Sequence, residues 1–125
     1  MNAMSQALKG YAEHATSTKV GRRSEYEVVA KITQQLRDSA VNAKTNFAAF
    51  VTALHMNQRL WTALVVDVSD EANPLPKELK ARIIYLADFT RHHTSRVLRH
   101  KASVLPLLEV NMAVLRGLKQ EGGAQ

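Results

Sequence analysis

The chain has 125 residues, 46% of them hydrophobic, which is enough for one modest core and too apolar for a disordered chain. It contains no cysteine, so disulfides, cysteine-ligated zinc or iron–sulfur sites and a cysteine nucleophile are excluded. The net charge of +6 and the pI of about 9.9 favour a negatively charged partner, either nucleic acid, a membrane surface or an acidic protein.

The start of the chain does not resemble a targeting segment. Residues 1–8 lack both the basic start and the long apolar run of a secretory signal. No stretch approaches the roughly 18 uncharged apolar residues that a membrane span needs. We therefore expect a cytoplasmic protein.

The N-terminal part predicts a short helix, a loop and then a longer helix. Apolar residues recur at helical spacing at Met4, Ala7, Leu8 and Tyr11. No periodicity is present from 16 to 23, which predicts a loop. Ser24 and Glu27 have the spacing of a capping box, which predicts that the next helix begins at Ser24. Its apolar stripe consists of Val29, Ile32, Leu36, Ala40 and Ala43.

The third segment has the strongest pattern in the chain. Apolar residues repeat at heptad spacing at Phe47, Phe50, Leu54, Trp61, Leu64 and Val68. Asn57 stands where the repeat predicts an apolar residue. The helix is expected to end in residues 69–74, which are rich in side chains that bond to their own backbone.

Two further helices complete the prediction. The fourth starts near Pro76, because a proline is tolerated in a first helical turn. Its predicted inner face is Leu79, Ile83, Leu86, Phe89, His93 and Val97. The fifth starts near Ser103 and Pro106 and reaches Leu118.

These elements predict an all-α fold, a compact antiparallel helical bundle of about four to five helices. We expect a single domain over residues 1–125. It comprises an N-terminal helix and loop (1–23), the bundle (24–118) and a polar tail (119–125). The fifth helix is apolar around most of its circumference, which indicates a central position or, alternatively, a face kept for a partner. Burial is the favoured interpretation.

Neither metal binding nor catalysis is expected. Asp88 and His92 share one helical face, and His93 and His100 share another, but the pairs point in different directions. A zinc site needs three or four converging ligands, and the remaining histidines, at positions 14 and 55, lie in other segments. The candidate acids are scattered without pairing: Glu25, Glu27, Asp67, Asp88 and Glu109.

A basic segment spans residues 91–101. Its cations are Arg91, Arg96, Arg99 and Lys101. Such a stripe could contact several phosphates. The favoured interpretation is a solvated helix end, since cations near a helix C-terminus suit the macrodipole and no aromatic residue interleaves with them.

Asn57 allows two interpretations. A buried amide without partners costs about 1–3 kcal/mol. It is therefore either a register-fixing polar residue of the core or a hydrogen-bonding group for a partner, with Arg59 nearby. The core interpretation is favoured because polar residues at such positions have this structural use.

Several short sequence motifs follow one another in a fixed order along the chain. They are Glu25-Tyr26-Glu27, Leu54-His55-x-Asn57-x-Arg59-Leu60-Trp61, Asp67-Val68, Asn73-Pro74-Leu75-Pro76, Leu79-x-Ala81-Arg82-Ile83, Tyr85-Leu86-Ala87-x-Phe89-Thr90, Val97-Leu98 and Asn111-x-Ala113-x-x-x-Gly117-Leu118. Each is weak alone, but together they cover most of the chain and resemble the FlaF family of flagellar biosynthesis regulators.

The resemblance implies a regulator that promotes flagellin synthesis and secretion and flagellum assembly. It implies flagellin as a partner, bound as by an export chaperone, and the regulator FlbT as a second one. The family carries no catalytic motif, so neither catalytic residues nor a cofactor are expected.

We expect the partner to bind in an apolar groove formed by the fifth helix and the far side of the third. The candidate partner-binding residues are Asn57, Arg59, Trp61, Leu107 and Val114. A charged residue at Leu107 or Val114 is then expected to abolish flagellin capture while leaving the fold intact. The alternative is an RNA-binding post-transcriptional regulator that contacts flagellin message through residues 91–101.

Overall fold

The computed structural model describes residues 18–123 of the chain, and the side chains of residues 25–119. This part contains four helices and no strand: α1 (Thr18–Val41), α2 (Phe47–Val68), α3 (Lys77–Leu98) and α4 (Leu105–Gly123). The predicted all-α class is confirmed. The short helix predicted at 4–11 lies outside the described residues.

Two predicted boundaries are wrong. The helix α1 begins at Thr18, so residues 18–23 are helical instead of forming a loop, and Ser24 lies inside the helix where it cannot be an N-cap. Gly21 and the threonine interrupt the apolar period there, but the lysine and arginines of this stretch are good helix formers. The helix α4 continues beyond Leu118 to Gly123, through part of the predicted polar tail. The lysine, glutamine and glutamate at the start of this tail are good helix formers as well.

Polar side chains define the other helix ends. Asn46 is the N-cap of α2, and its side chain accepts a hydrogen bond from the amide of Ala49 at 3.1 Å. In the following turn, Asp70 accepts from the amide of Ala72, and Asn73 accepts from the amide of Leu75. This is the self-bonding turn that its composition predicts. The hydroxyl of Ser103 accepts from the amide of Leu105 at the start of α4.

The four helices form a closed antiparallel ring. The helix α1 packs against α2 and α4, and α3 packs against the same two helices from the opposite corner. The α1–α4 contact is the most extensive of the four and the α3–α4 contact the least. The short connections place the α1–α2 and α3–α4 turns at one end of the bundle and the α2–α3 turn at the other.

The core consists of two apolar clusters, one above the other. The cluster near the α2–α3 turn includes Val29, Leu60, Trp61, Ile83 and Val114. The cluster near the other two turns consists of Leu36, Phe50, Ala53, Leu54, Val97 and Leu107. The helix α4 contributes buried residues to both, so the apolar fifth predicted helix lies against the core, as favoured. No helix within residues 18–123 has the length and apolarity needed to cross a membrane.

Candidate partner-binding surface

Most of the residues predicted to bind a partner lie inside the bundle. Asn57, Trp61, Leu107 and Val114 are all buried. A partner cannot reach these side chains while the bundle is closed, so the prediction that Leu107 and Val114 line an exposed groove is wrong. Their apolar surface is used by the neighbouring helices instead. Arg59 is exposed, as a partner-binding residue requires.

A layer of polar side chains separates the two apolar clusters. The indole Nε1 of Trp61 donates to Oδ1 of Asn111 at 2.8 Å. Nδ2 of Asn111 donates to Oγ1 of Thr33 at 3.0 Å and to Oδ1 of Asn57 at 2.8 Å. The hydroxyl of Thr33 donates to the carbonyl of Val29 at 2.7 Å. The layer therefore joins α1, α2 and α4 by buried hydrogen bonds.

The indole determines the orientation of both amides. A tryptophan N–H can only donate, so Asn111 must turn its oxygen towards Trp61 and its nitrogen towards Asn57. Asn57 in turn must present its oxygen to Asn111. These buried amides give α2 and α4 a defined register, because shifting either helix leaves them without partners. Asn57 is therefore part of the core, in agreement with the favoured interpretation.

The helix α3 takes no part in this hydrogen-bonded layer. Two buried polar atoms lack a hydrogen-bond partner among the described residues, Nδ2 of Asn57 and Oγ1 of Thr90 on α3. Thr90 and its neighbour Thr94 lie at the level where the two apolar clusters meet, between Ile83 and Val97. A buried polar atom without a partner costs about 1–3 kcal/mol. Asn57 still joins the layer through its oxygen, whereas the Thr90 hydroxyl makes no hydrogen bond to it.

The two faces of α3 have an unusual distribution of polarity. Three of its five buried residues are polar: Thr90, His93 and Thr94. Three of its large hydrophobic residues are exposed, Ile84 by 45%, Tyr85 by 73% and Phe89 by 36%. Phe89 was predicted on the inner face and lies at its edge. Tyr85 and Phe89 are four positions apart and share one helical face, and neighbouring exposed aromatic residues of this kind are typical of an interaction site.

Two contacts show which flank of α3 faces α4. Near one end, a methyl group at Gly117 would lie 3.2 Å from Cδ1 of Leu79, so the two helices touch there. Near the other end, Nε2 of His93 lies 2.7 Å from the carbonyl oxygen of Ser103. Leu86 and Phe89 lie between these contacts on the same helical stripe. They remain partly exposed, because α3 and α4 have the least extensive contact in the bundle.

The opposite wall of this shallow groove carries small side chains. Ala113 and Val110 share the face of α4 that contains Gly117, and all three are only partly buried. We call the surface formed by Tyr85, Leu86 and Phe89 on α3, with Val110 and Ala113 on α4, the α3–α4 groove. These five side chains are apolar, the exposed Arg82 lies on the same stripe of α3, and small residues on one wall allow another helix to approach closely.

The ring of His93 contacts the groove from the side of the core. It stacks against Phe89 with ring centroids 5.3 Å apart and an interplanar angle of 18°. Since a carbonyl oxygen only accepts, Nε2 of His93 carries the proton shared with Ser103. This buried hydrogen bond holds the imidazole, and through it the ring of Phe89 is oriented.

The basic segment lies at the end of α3. Arg91 is paired with Asp88 at 2.8 Å, and both side chains are well exposed, so this pair contributes little to stability. Arg96, Arg99 and Lys101 are exposed as well. The residue between the last two, His100, has a positive φ of 60° and places its ring 5.3 Å from that of Phe47 on α2. Phe47, the first residue of the predicted apolar repeat, is 40% exposed.

The described residues bring no set of acids and histidines together. No group of three or more histidine, aspartate or glutamate side chains within this range is placed to hold a metal ion. Asp88 lies against His92 at 3.7 Å, and both are exposed. An open cleft of about 600 Å³ between α1 and α2 is lined mainly by polar residues, of which Asp38 alone is ionisable. His14 lies outside the described residues.

The described part of the chain is thus an antiparallel four-helix bundle with a buried polar layer and an aromatic outer face on α3. A family model described as flagellar protein FlaF matches residues 7–118. The chain therefore belongs to the FlaF family and is a flagellar protein. Neither a curated protein nor a solved structure matches it significantly.

Proposed function

We propose that this protein binds flagellin in the cytoplasm before export, in the manner of a chaperone, and so promotes flagellin secretion and flagellum assembly. The observation that supports the proposal is the exposed apolar surface of α3 beside the α3–α4 groove, formed by Tyr85 and Phe89. The role requires binding and no catalysis. The regulator FlbT is a further proposed partner of the same complex.

The physical basis is the amphipathic helix. Helical segments that pack only in an assembled filament expose an apolar stripe beforehand, and such a stripe aggregates unless it is covered. A groove between two helices covers it by helix-in-groove packing. The α3–α4 groove offers aromatic anchors on one wall and small residues on the other, which suits the side chains of an incoming helix.

The energetics of the groove also favour binding. Tyrosine is enriched among residues whose truncation costs an interface more than about 2 kcal/mol. Phe89 is held in place by its stack on His93, so little side-chain freedom is lost on association. The groove replaces the site predicted at Leu107 and Val114, which the bundle itself occupies.

The decisive experiment removes the two aromatic rings. We expect the double substitution Tyr85→Ala and Phe89→Ala to weaken binding of monomeric flagellin by at least about 30-fold, measured by isothermal titration calorimetry. The melting temperature should change little, because these side chains are largely outside the core. Val66→Ala is the matched control, since Val66 is a similarly exposed apolar residue on α2.

Two results would contradict the proposal. One is wild-type affinity of the double variant, which would exclude the α3–α4 groove. The other is an equal loss of affinity in the Val66→Ala control, which would indicate unspecific adhesion of exposed apolar surface.

A further inference from the structure

Within the described residues, one end of the bundle is rich in cations and poor in carboxylates. It is formed by the α1–α2 and α3–α4 turns, and the chain has no aspartate or glutamate in residues 39–66 or 89–108. Four exposed cations lie in or next to these turns: Lys44, Arg96, Arg99 and Lys101. We call this surface the basic end. The carboxylates nearest in the chain, Asp38 and Glu109, lie about one helical turn from the ends of α1 and α4, so the cations outnumber them and the field at this end is net positive.

An exposed aromatic ring lies within this surface. The rings of Phe47 and His100 are 5.3 Å apart and tilted by 32°. Phe50 supports Phe47 from the core side in an edge-on contact at 6.2 Å. Phe47 is thus held on two sides and still partly open to solvent. The two contacting residues are far apart in the chain, which is why the basic segment alone shows no aromatic partner.

The backbone at His100 helps to hold this arrangement. The amide of His100 donates to the carbonyl of Val97 and that of Lys101 to the carbonyl of Arg96, the hydrogen-bond pattern of a Schellman motif. Glycine usually occupies the left-handed position of this motif, and another residue costs about 1–2 kcal/mol there. Histidine adopts this conformation here and directs its ring towards Phe47.

We propose that the basic end binds single-stranded RNA. A base stacks on the open side of Phe47, and Arg96, Arg99 and Lys101 contact the adjoining phosphates. Binding of single strands combines these two features, an exposed aromatic ring and a cationic track. The macrodipole accounts for cations near the end of α3, but not for an exposed ring among them.

This site is separate from the α3–α4 groove. Along α3 and its C-cap, Phe89 is seven positions from Arg96 and ten from Arg99, about 10 and 15 Å along the axis. The RNA site does not depend on the proposed function, and the two sites can be tested with different variants. Ring and cations together favour RNA over an acidic protein, which remains the competing outcome of the test.

The first measurement removes charge. Fluorescence anisotropy of a fluorescein-labelled 12-nucleotide oligouridine is titrated with the full chain at several salt concentrations. We expect the triple substitution Arg96→Ala, Arg99→Ala and Lys101→Ala to reduce the salt slope of binding by about 2, since each phosphate contact contributes roughly 0.7 for single strands. Lys77→Ala, Lys80→Ala and Arg82→Ala together remove the same charge from the other end of α3 and should leave most of the slope.

The second measurement removes the ring. Phe47→Leu keeps an apolar side chain in contact with Phe50 but cannot stack on a base. We expect oligouridine affinity to fall about tenfold with no change in salt slope. The groove variant Tyr85→Ala with Phe89→Ala should bind oligouridine as the wild type does.

Three results would overturn the inference. Equal losses in the two triple variants would show a response to net charge alone. Binding of oligouridine by Phe47→Leu with wild-type affinity would exclude stacking of a base on Phe47. Capture of a polyglutamate peptide without capture of oligouridine at the same salt would show that the basic end is a surface for an acidic protein.

Discussion

The helices α2 and α3 have the same length, 22 residues, and pack against each other, yet they use their surfaces in opposite ways. The helix α2 buries large apolar residues such as Leu54, Leu60 and Trp61, and the oxygen of its buried amide, Asn57, accepts a hydrogen bond from Asn111. The helix α3 buries two threonines and a histidine beside Ile83 and Val97, and it exposes Ile84, Tyr85 and Phe89.

We expect this difference to give the two helices different roles, stability for α2 and partner binding for α3. Burial of one large apolar side chain contributes about 1.5–3 kcal/mol, so α2 contributes strongly to the stability of the bundle. The corresponding surface of α3 is left in contact with water and is available to a partner. The exposed apolar residues of α3 contribute little to the packing of the bundle, and we therefore expect a partner to bind there.

The strongest test of this comparison truncates one aromatic residue on each helix. Trp61→Ala removes a buried ring and the hydrogen bond to Asn111, and we expect it to lower the free energy of unfolding by about 4 kcal/mol. Tyr85→Ala on α3 should change it by no more than about 0.5 kcal/mol. Urea unfolding followed by circular dichroism measures both. Similar losses would show that the two helices are equally part of the core.

A second test addresses the polar layer that α3 does not join. Asn111→Ala leaves Trp61, Thr33 and Asn57 without the amide that links them. We expect a loss of about 3 kcal/mol, because several buried polar groups become unpaired at once. A loss below about 1 kcal/mol in the same urea experiment would mean that the layer contributes nothing beyond the packing of one side chain.

A third test compares the local opening of the two helices. Hydrogen exchange followed by mass spectrometry should show amides in the middle of α3 exchanging at least about tenfold faster than those in the middle of α2. The expected cause is the combination of an unpaired Thr90, a buried polar face and the limited contact with α4. Equal protection of both helices would contradict this ranking.

The smallest expected effect distinguishes two buried threonines of α3. Thr90→Val removes a hydroxyl without a partner and should stabilise the bundle by about 1 kcal/mol. Thr94→Val is the matched control, since the hydroxyl of Thr94 donates to the carbonyl of Thr90 at 2.6 Å. It should give no gain. If Thr90→Val destabilised the protein as well, its hydroxyl would be a satisfied group.

Much of the architecture follows from local patterns. Heptad spacing in α2 and the self-bonding turn after it predicted a helix and its end correctly, because both depend on neighbouring residues. The family resemblance, carried by motifs spread over the chain, was confirmed as well. The helix α1 was predicted to begin too late, at Ser24 instead of Thr18. A capping box consists of only a few residues, and the same residues also occur within helices.

The candidate site was less accessible to such reasoning. Asn57 was noticed because it interrupts a repeat, but its partner Asn111 lies on a different helix and stands in a segment that is apolar on most sides. In the same way, nothing near His100 in the chain predicts its contact with Phe47. These pairs form only when helices pack, and no local pattern encodes their distance.

Periodicity is a property of one helix, and it is sufficient to specify that this chain makes long helices with apolar stripes and an antiparallel bundle. Whether an apolar residue on such a stripe is buried depends on how closely the neighbouring helix approaches. In this protein α4 lies closely against α1 and only loosely against α3. The tertiary packing therefore decides that Leu107 and Val114 belong to the core while Tyr85 and Phe89 remain exposed.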